Sequence, residues 1–460
     1  MFLCIETDRR READCPTAPH AETRLRRLLA EAMTHHRSGR LAEAEAAYQG
    51  ALQVSPAHAG TLHNLGVIAA AQGKLASAVG YFDRALATEP LYGAAHYNRA
   101  VAHRMLGQTR DAIRGFSRAC TIDPGHYDAH LALGFLWLAE GERDRALDHF
   151  ARTYELRRGD DRTGIAAKSL SWANAGKLKH DAEQFRYLAA RRRDGRRFEL
   201  LARSYDEVAK ELGVDAVELS DERFELLGDD YNTAIHVSPA PERADRAISA
   251  RPDRAAIVQD FAAQGAVAID DLLAPAALTG LKKFLLESTV WHDFSHIGGF
   301  VASYLEDGLA SPLFLQIANE LRTAFPEILR SHPLSQAWAF KGLVSESAVD
   351  AHADDAAVTV NFWVTPDAAN RVPGSGGLLV CRVSPPADWA LTDYETDKAE
   401  VAAFLAQHAD DTLHVPYREN RAVLFRSRLF HRSDAPHFAP GYENHRINVT
   451  MLFGSETGNR

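Results

Sequence analysis

The chain has 460 residues and a formal net charge of −10, with 46% hydrophobic and 25% charged residues. This composition is typical of a folded protein, and the length favours more than one domain. The acidic balance argues against nucleic acid or an anionic membrane as a main partner. The first residues contain no apolar run of signal-peptide length, and no segment approaches the roughly 20 apolar residues that a membrane helix needs. We therefore expect a cytoplasmic protein.

The first third of the chain repeats with a period of 34 residues. Glycines, alanines and prolines keep this interval: Gly39, Gly73, Gly107 and Gly141; Ala44, Ala78, Ala112 and Ala146; Pro56, Pro90 and Pro124. Proline ends a helix because it has no backbone N–H to donate. The pattern resembles the tetratricopeptide repeat over residues 24–158, which implies an all-α solenoid of four repeats. Residues 1–23 are expected to be a poorly ordered tail.

Proteins of the repeat family usually bind an extended peptide or a partner protein in a concave groove. Asn64 and Asn98 occupy equivalent positions in the first helices of the second and third repeats. By resemblance to repeat proteins that carry an asparagine ladder, these amides are candidates to bond a peptide backbone. Asparagine is also common at this position without a binding role, so both interpretations stay open.

The rest of the chain changes character after the repeats. Residues 159–240 keep a helical pattern and then become a linker rich in proline and charge. Within residues 241–460, an amphipathic helix is followed by β-branched and aromatic runs: AWAFKGLV, AVTVNFWVT, SGGLLVCRV, NRAVLFRSRLF and HRINVTMLFG. These runs predict an all-β barrel or sandwich with a helical preface, so the fold class is multidomain α plus β.

A candidate metal site lies in this second domain. A non-haem iron site needs two histidines and one carboxylate on one face of the metal, and its local sign is His-x-Asp. This tripeptide occurs three times. The copy at 126–128 lies within the repeats, and the copy at 408–410 is too close along the chain to the next suitable histidine. We therefore predict His352, Asp354 and His431 as the metal ligands.

Candidate cosubstrate residues follow on the next predicted strand. Arg446, Asn448 and Thr450 share one face because strand side chains alternate. A guanidinium pairs bidentately with a carboxylate, so Arg446 is suited to hold a dicarboxylate. Lys341 and Asn361 are further candidates for the cosubstrate or substrate pocket.

Three glycines, Gly374, Gly376 and Gly377, are predicted to serve a turn and a close approach of strands. Trp363 is expected to fill the barrel. Residues 385–412 look like an inserted loop and helix, which is typical of a lid over a site.

Together, HADDAAVTVNFWVT, SGGLLV, NRAVLF, LFH and GYENHRIN resemble the prolyl-hydroxylase-like branch of the Fe(II)- and 2-oxoglutarate-dependent oxygenases, over roughly residues 255–456. The resemblance implies a double-stranded β-helix of the jelly-roll or cupin type with flanking helices. It also implies Fe(II), 2-oxoglutarate and O₂ as cofactor and cosubstrates. Related halogenases carry a small residue where Asp354 stands, so hydroxylation is the expected reaction of a dioxygenase here.

Three functions follow as hypotheses. In the first, the repeats recruit a peptide or protein whose side chain is hydroxylated. In the second, the same chemistry acts on a small-molecule or carrier-bound substrate, and the repeats serve assembly. In the third, the chain is a repeat scaffold whose β domain binds a ligand without turnover. A fold does not name a substrate, and the oligomeric state stays open.

Overall fold

A computed structural model describes residues 19–159, 171–238, 243–250, 253–295, 299–343, 349–386, 389 and 398–455. The chain divides into two compact units, Met1–Leu136 and Trp137–Arg460. Of the predicted tail, residues 1–18 lie outside the described part, and the first helix begins at Pro19.

The first unit consists of antiparallel helix pairs. Its helices are α1 (Pro19–Arg37), α2 (Leu41–Val54), α3 (Ala59–Ala71), α4 (Leu75–Thr88), α5 (Gly93–Met105), α6 (Thr109–Ile122) and the larger part of α7 (Tyr127–Ala139). The turn at Gly73 within a pair has a φ of +75°, a conformation that favours glycine. At Gly66 an added Cβ would lie 2.6 Å from the Phe82 ring, so a small residue is needed where α3 and α4 touch. The predicted helical solenoid is therefore present.

The second unit begins with helices that precede its two sheets along the chain. They are α8 (Arg143–Arg158), α9 (Ala175–Ala189), α10 (Gly195–Lys210) and α11 (Asp221–Leu227), together with a short hairpin of β1 (Trp172–Ala173) and β2 (Val217–Glu218). The later helices are α12 (Arg254–Gln264), α13 (Pro275–Glu287), α14 (Pro312–Ala324), α15 (Pro326–Leu329) and α16 (Lys398–Gln407).

The boundary between repeats and β region differs from the predicted one. Arg158, at the end of α8, forms a buried ion pair with Asp307 of the β region. Gln184 of α9 donates to the carbonyls of Leu286 and Ser288. Arg158 also donates to the Asn232 carbonyl at 3.2 Å. These buried hydrogen bonds join α8 and α9 to later segments of the second unit. The helical pattern predicted for 159–240 is present in the described residues 171–238, and these helices belong to the second unit.

Two antiparallel sheets form the β region. The larger has the order β3-β9-β6-β11-β5-β4, and the smaller has the order β10-β7-β8. The strands are β3 (Ala266–Ile269), β4 (Phe300–Tyr304), β5 (Leu334–Gly342), β6 (Val358–Trp363), β7 (Leu378–Cys381), β8 (Thr412–Val415), β9 (Ala422–Arg426), β10 (His431–Ser433) and β11 (Ile447–Phe453). An isolated antiparallel bridge joins His352 to His431 at the edge of the smaller sheet.

One apolar core fills the space between the sheets. Trp363, Val423 and Phe425 of the larger sheet pack there with Leu378 and Val380 of the smaller sheet. The strand register places Asn448 opposite Trp363, and Thr450 opposite Asn361. Since cross-strand partners share a face, these four side chains all face the inside of the sandwich.

Two smaller observations complete the fold. At Gly377 an added Cβ would lie 1.9 Å from the Val415 carbonyl oxygen, which confirms the predicted close approach of strands. Among the described helices, none is long and apolar enough to cross a membrane.

Candidate metal centre and adjoining polar pocket

The structure brings His352, Asp354 and His431 together. Their ligand atoms all lie within 4.8 Å of one another, and within the described residues this is the group of metal-binding side chains with such geometry. His352 Nε2 is 3.8 Å from Asp354 Oδ1, and His431 Nε2 is 3.5 Å from Asp354 Oδ2. Metal bonds to these atoms are about 2.0–2.2 Å long, so one ion can reach both pairs.

Both imidazoles turn the same nitrogen toward the common point. His352 Nδ1 is 2.8 Å from the Asp350 carbonyl oxygen, and His431 Nδ1 is 3.1 Å from the Leu429 carbonyl oxygen. Because a carbonyl only accepts, each Nδ1 carries the proton and each Nε2 keeps its lone pair for a metal. The tautomers are therefore fixed for coordination.

Burial differs across the three residues. Asp354 and His431 are buried, whereas the His352 side chain is 41% exposed. Burial, together with the neighbouring His352, lowers the pKa of His431 to about 4. His431 is thus neutral at physiological pH, which is the form that binds a metal ion. The exposed His352 leaves the site open to solvent on one side.

A buried pair of hydroxyls supports the carboxylate. Thr359 Oγ1 donates to Asp354 Oδ2 at 2.7 Å and lies 2.9 Å from Ser427 Oγ. Sequence reasoning did not identify Thr359 or Ser427. Strand alternation puts Thr359 on the face of Asn361, but its distance from Asp354 depends on how the chain turns before β6.

Arg446 is buried at the other end of the inner face. Its Nε donates to the Gly376 carbonyl at 2.7 Å, and no carboxylate of the described residues forms an ion pair with it. Burial lowers the pKa of Arg446 to about 10, so the guanidinium still carries its charge at neutral pH. A buried cation without an anionic partner is costly, which makes this position suited to an anionic ligand.

Polar atoms without partners lie between Arg446 and the triad. Asn361 and Asn448 both donate to Thr450 Oγ1, at 3.3 and 3.2 Å, and their Oδ1 atoms have no hydrogen-bond partner in the described structure. The Trp363 Nε1 has none either. Buried polar atoms are normally paired, so this cluster has the character of a ligand pocket.

Lys341 is not part of this pocket. The register pairs it with Ile447, so its side chain points to the opposite face of the larger sheet from Asn448. There its Nζ lies 3.2 Å from the centroid of the Tyr442 ring, and burial lowers its pKa well below the usual value. The prediction that Lys341 lines the cosubstrate or substrate pocket with Asn361 is wrong, because the lysine points away from it.

Asn64 and Asn98 are also placed differently from the predicted groove positions. Asn98 is fully buried, and its Nδ2 is 2.8 Å from His63 Nε2. Asn64 is buried as well and donates to the Tyr48 hydroxyl at 3.1 Å. These amides bond other side chains of the first unit, so they are not available to a peptide backbone, and the structural alternative explains them.

A cavity of about 380 Å³ adjoins Arg446. Its wall includes Arg371, Phe300 and the pair of His445 and Glu183, whose Nε2 and Oε2 are 2.9 Å apart. The hydrogen bond from His445 lowers the pKa of Glu183. The cavity gives the guanidinium of Arg446 access to a ligand from the outside.

The inserted helix α16 lies behind the metal-binding strands. Val401 and Phe404 pack in one apolar cluster with Phe430, Ala351 and Ala353. These three neighbours alternate with the ligands along the chain, so they face away from the metal site. In the described residues, α16 therefore packs on the side of these strands that faces away from the metal-binding residues, so it does not form the predicted lid. Residues 387–388 and 390–397 of the insertion lie outside the described part.

Comparisons with known proteins concern the repeats. Residues 29–89 and 63–126 match the tetratricopeptide repeat family, and no curated protein matches the chain. MamA from Desulfovibrio magneticus RS-1 is 21% identical, with 30% of this chain and 80% of that chain covered and a TM-score of 0.29. The first tetratricopeptide domain of Spaghetti, bound to an HSP90 peptide, is 19% identical, with 26% and 94% covered and a TM-score of 0.25. An O-GlcNAc transferase mutant from Thermobaculum terrenum is 21% identical, with 36% of each chain covered and a TM-score of 0.28. The family match establishes that the first unit contains tetratricopeptide repeats.

Proposed function

We propose that the β region is an Fe(II)- and 2-oxoglutarate-dependent oxygenase with a double-stranded β-helix fold. The observation that carries the proposal is the convergence of His352, Asp354 and His431, with both Nε2 atoms free and the carboxylate held between them. Two histidines and one carboxylate are the ligand set of non-haem Fe(II) oxygenases, which leave open positions on the metal.

The strand order supports this fold. The larger sheet contains β5, β11, β6 and β9 in adjacent positions, and the bridge at His352 continues the smaller sheet beside β10, β7 and β8. Along the chain these eight segments pass between two facing sheets, as in a jelly roll. The two histidines come from one edge of the smaller sheet, and Arg446 immediately precedes β11 of the larger sheet.

Arg446 and its surroundings support an anionic cosubstrate. The carbonyl of Gly376 accepts a hydrogen bond from Arg446, and Val380 pairs with His431. Gly376 lies just before β7 and Val380 lies within it, four residues later. At about 3.3 Å per residue, this separates the two sites by roughly 13 Å of backbone. The strand register places Arg446 and the metal-binding residues toward the space between the sheets, so we infer that a dicarboxylate bound there would contact the guanidinium and the metal.

The protein residues would position the reactants, and the site is open to solvent on the side of His352. When bound, iron and 2-oxoglutarate would supply the oxidising chemistry: with O₂, 2-oxoglutarate becomes succinate and CO₂ while one oxygen atom enters a C–H bond of the substrate. His352, His431 and Asp354 would hold the metal, and Thr359 fixes the carboxylate of Asp354. The apolar core between the sheets excludes water from the inner end.

The repeats suggest the substrate class. We propose that they recruit a peptide or protein whose side chain is hydroxylated, since binding an extended segment is the usual role of such repeats. A small-molecule or carrier-bound substrate is the alternative. A repeat scaffold whose β domain binds a ligand without turnover is a further alternative, since the tautomers of both histidines suit metal binding with or without turnover.

Anaerobic titration of the full chain with Fe(II) and 2-oxoglutarate tests the proposal. The chelate of a 2-oxo acid on Fe(II) gives a weak visible charge-transfer band, which wild type should develop. His352→Ala and Arg446→Ala should lose or weaken it. His408→Ala is the matched control, because it removes the histidine of another His-x-Asp segment and should keep the band. If wild type shows neither the band nor slow O₂-dependent formation of succinate, the oxygenase function is wrong and the scaffold takes its place.

A further inference from the structure

Another cavity, of about 420 Å³, borders β4 at the edge of the larger sheet. Its wall combines aromatic, amide and acidic side chains, among them Trp172, Asp293, Tyr304, Glu306 and Gln336. The side chain of Trp172 is 44% exposed. Aromatic side chains that remain accessible beside a cavity are typical of surfaces that bind a partner.

This cavity reaches the face of the larger sheet that carries the metal centre. Gln336 of β5 and Thr359 of β6 are both cross-strand partners of Leu452, so their side chains share one face. Neighbouring strands are about 4.8 Å apart, so Gln336 lies roughly 10 Å from Thr359. The hydroxyl of Thr359 donates to Asp354. An extended ligand that enters the cavity can therefore reach the metal-binding residues.

Two partly exposed aromatic rings lie between the cavity and the polar pocket. Tyr304 stands opposite Trp338, Trp338 opposite Thr450, and Thr450 opposite Asn361. The ring centroids of Tyr304 and Trp338 are 6.5 Å apart. These four side chains form one row from the edge of the sheet to the pocket, and the two rings give a bound chain an apolar surface to lie on.

The charges in the cavity wall are only partly compensated. Arg158 and Asp307 neutralise each other in a buried bidentate ion pair. Burial lowers the pKa of His292 well below its usual value, so this imidazole is neutral at physiological pH. Excess negative charge remains, because the other charged side chains of the wall are one cation and two carboxylates: Arg157, Asp293 and Glu306.

Glu306 has an oxygen that the protein leaves unsatisfied. Its Oε2 atom is buried and has no hydrogen-bond partner in the described part of the chain, and burial raises the pKa of the carboxyl group. Asp293, in contrast, accepts from the Tyr304 hydroxyl at 3.0 Å and from the Ser295 backbone N–H at 2.9 Å. An ammonium or guanidinium group only donates, so it would satisfy Glu306 Oε2 and also offset the excess negative charge.

We propose that this cavity binds a lysine or arginine side chain of the polypeptide substrate, with Glu306 as the main acceptor and Tyr304 and Trp338 under the substrate backbone. The inference rests on the proposed function and names the chemical class of its substrate. An extended chain advances about 3.3 Å per residue, so the roughly 10 Å between cavity and metal centre place the basic residue about three positions from the oxidised one.

Pairing within the protein is the competing explanation. Arg157 lines the same cavity, and its charge lowers the pKa of Glu306 in opposition to burial, so a rotation of this arginine would satisfy Oε2. Internal pairing predicts that Glu306→Gln changes the stability of the free protein and leaves ligand affinity unchanged. Binding of a cationic substrate predicts a change in ligand affinity.

The test uses two pentapeptides, acetyl-Gly-Ser-Lys-Ser-Gly-amide and the same peptide with uncharged norleucine in place of lysine. Bound Mn(II) is paramagnetic and broadens the NMR signals of a ligand near the metal centre, and the Zn(II)-loaded full chain is the diamagnetic reference. The lysine methylene signals should broaden with the Mn(II)-loaded wild type. The norleucine peptide should bind about tenfold more weakly or less, as for a lost hydrogen bond between charged groups.

Glu306→Gln should weaken binding of the lysine peptide about tenfold or more for the same reason. Glu199→Gln is the matched control, because it makes the same exchange at an exposed position of α10, and it should leave the affinity unchanged. Gln336→Lys decides the matter if Glu306→Gln does not fold. Gln336 is exposed, and a cation placed there should abolish binding of the lysine peptide by repulsion.

Several outcomes would overturn the inference and leave the proposed function intact. They are no binding of the lysine peptide at millimolar concentration, equal affinity for the two peptides, binding without broadening by Mn(II), and unchanged affinity in folded Glu306→Gln or in Gln336→Lys. If wild type binds no metal through His352, Asp354 and His431, or forms no 2-oxoglutarate chelate, the proposed function fails and the cavity loses its role as a substrate site.

Discussion

Thr359 and Asp354 are joined by a hydrogen bond of 2.7 Å, in which the hydroxyl donates to the carboxylate oxygen that lies 3.5 Å from His431 Nε2. Ser427 Oγ is 2.9 Å from the same hydroxyl, and all three residues are buried. The carboxylate thus has a fixed orientation before any metal arrives. A metal ligand that is held in this way loses little conformational freedom on binding.

Thr359→Val should weaken metal binding, because valine keeps the shape of threonine and removes the hydroxyl. Loss of such a supporting hydrogen bond typically costs about 10–100-fold in metal affinity. Isothermal titration with Co(II) or anaerobic Fe(II) measures the change. Thr412→Val, in the same kind of strand but on β8 away from the site, is the control. Equal affinities in wild type and Thr359→Val would show that the hydroxyl does not position the carboxylate.

The buried ion pair of Arg158 and Asp307 ties α8 to the β region. Nε donates to Oδ1 at 2.8 Å and Nη2 donates to Oδ2 at 2.7 Å, and the side chains are 4% and 3% exposed. Burial alone would raise the pKa of Asp307, but the charge and hydrogen bonds of Arg158 outweigh it and hold the pKa below its usual range.

Arg158→Met should therefore destabilise the second unit by about 3–5 kcal/mol at neutral pH, because Asp307 stays buried without its counter-charge. A carboxylate with a lowered pKa stabilises the fold above its unfolded pKa and loses this effect as the pH falls toward its folded pKa. The difference between wild type and variant should shrink below about pH 4. Denaturant unfolding of wild type and variant, at neutral pH and below about pH 4, measures this difference in unfolding free energy. The double variant Arg158→Met with Asp307→Leu is the control, and it should recover part of the loss; a single variant as stable as wild type contradicts the role of the pair.

Local patterns in the sequence were sufficient to predict the repeats and to predict that His352, Asp354 and His431 lie together. His352 and Asp354 are two residues apart, and four strands separate them from His431. Lys341 shows the limit of this reasoning. Its run of residues predicts a strand correctly, but the face it occupies depends on the register with Ile447, and a shift by one residue reverses every side chain.

Contacts between residues far apart in the chain could not be predicted from the sequence. The buried Arg158 and Gln184 look like surface residues of a helical extension, and their carbonyl and carboxylate partners lie far along the chain. Trp363 was expected to fill the barrel, which its complete burial agrees with, but its unpaired N–H becomes visible only when all neighbouring acceptors are known.

Asn98 offers a direct test of its revised role. Because its amide is buried against His63, Asn98→Ala should cost about 1–3 kcal/mol of stability in the first unit by leaving a buried ring nitrogen unpaired. A residue that only lined a binding groove would change stability by no more than about 0.5 kcal/mol. Thermal unfolding of the full chain separates the two cases. Gln72→Ala, which removes an exposed amide at the end of α3, is the control, and equal effects of both substitutions would restore the groove interpretation.

His63 should make the first unit sensitive to acid. Burial, with a smaller opposing effect of its hydrogen bond to Asn64, lowers the pKa of His63 to about 4. The unfolded chain takes up a proton near pH 6.5 and the folded chain does not, so stability falls progressively as the pH drops from about 6.5 to about 4. At pH 5 the loss from this one residue is about 2 kcal/mol. The variant His63→Gln should be less stable than wild type at pH 7. Because glutamine does not titrate, this variant should lose less additional stability between pH 7 and pH 5. Denaturant unfolding at the two pH values, with the exposed His20→Gln as control, measures the slope; the same slope in wild type and His63→Gln would mean that another group senses the acid.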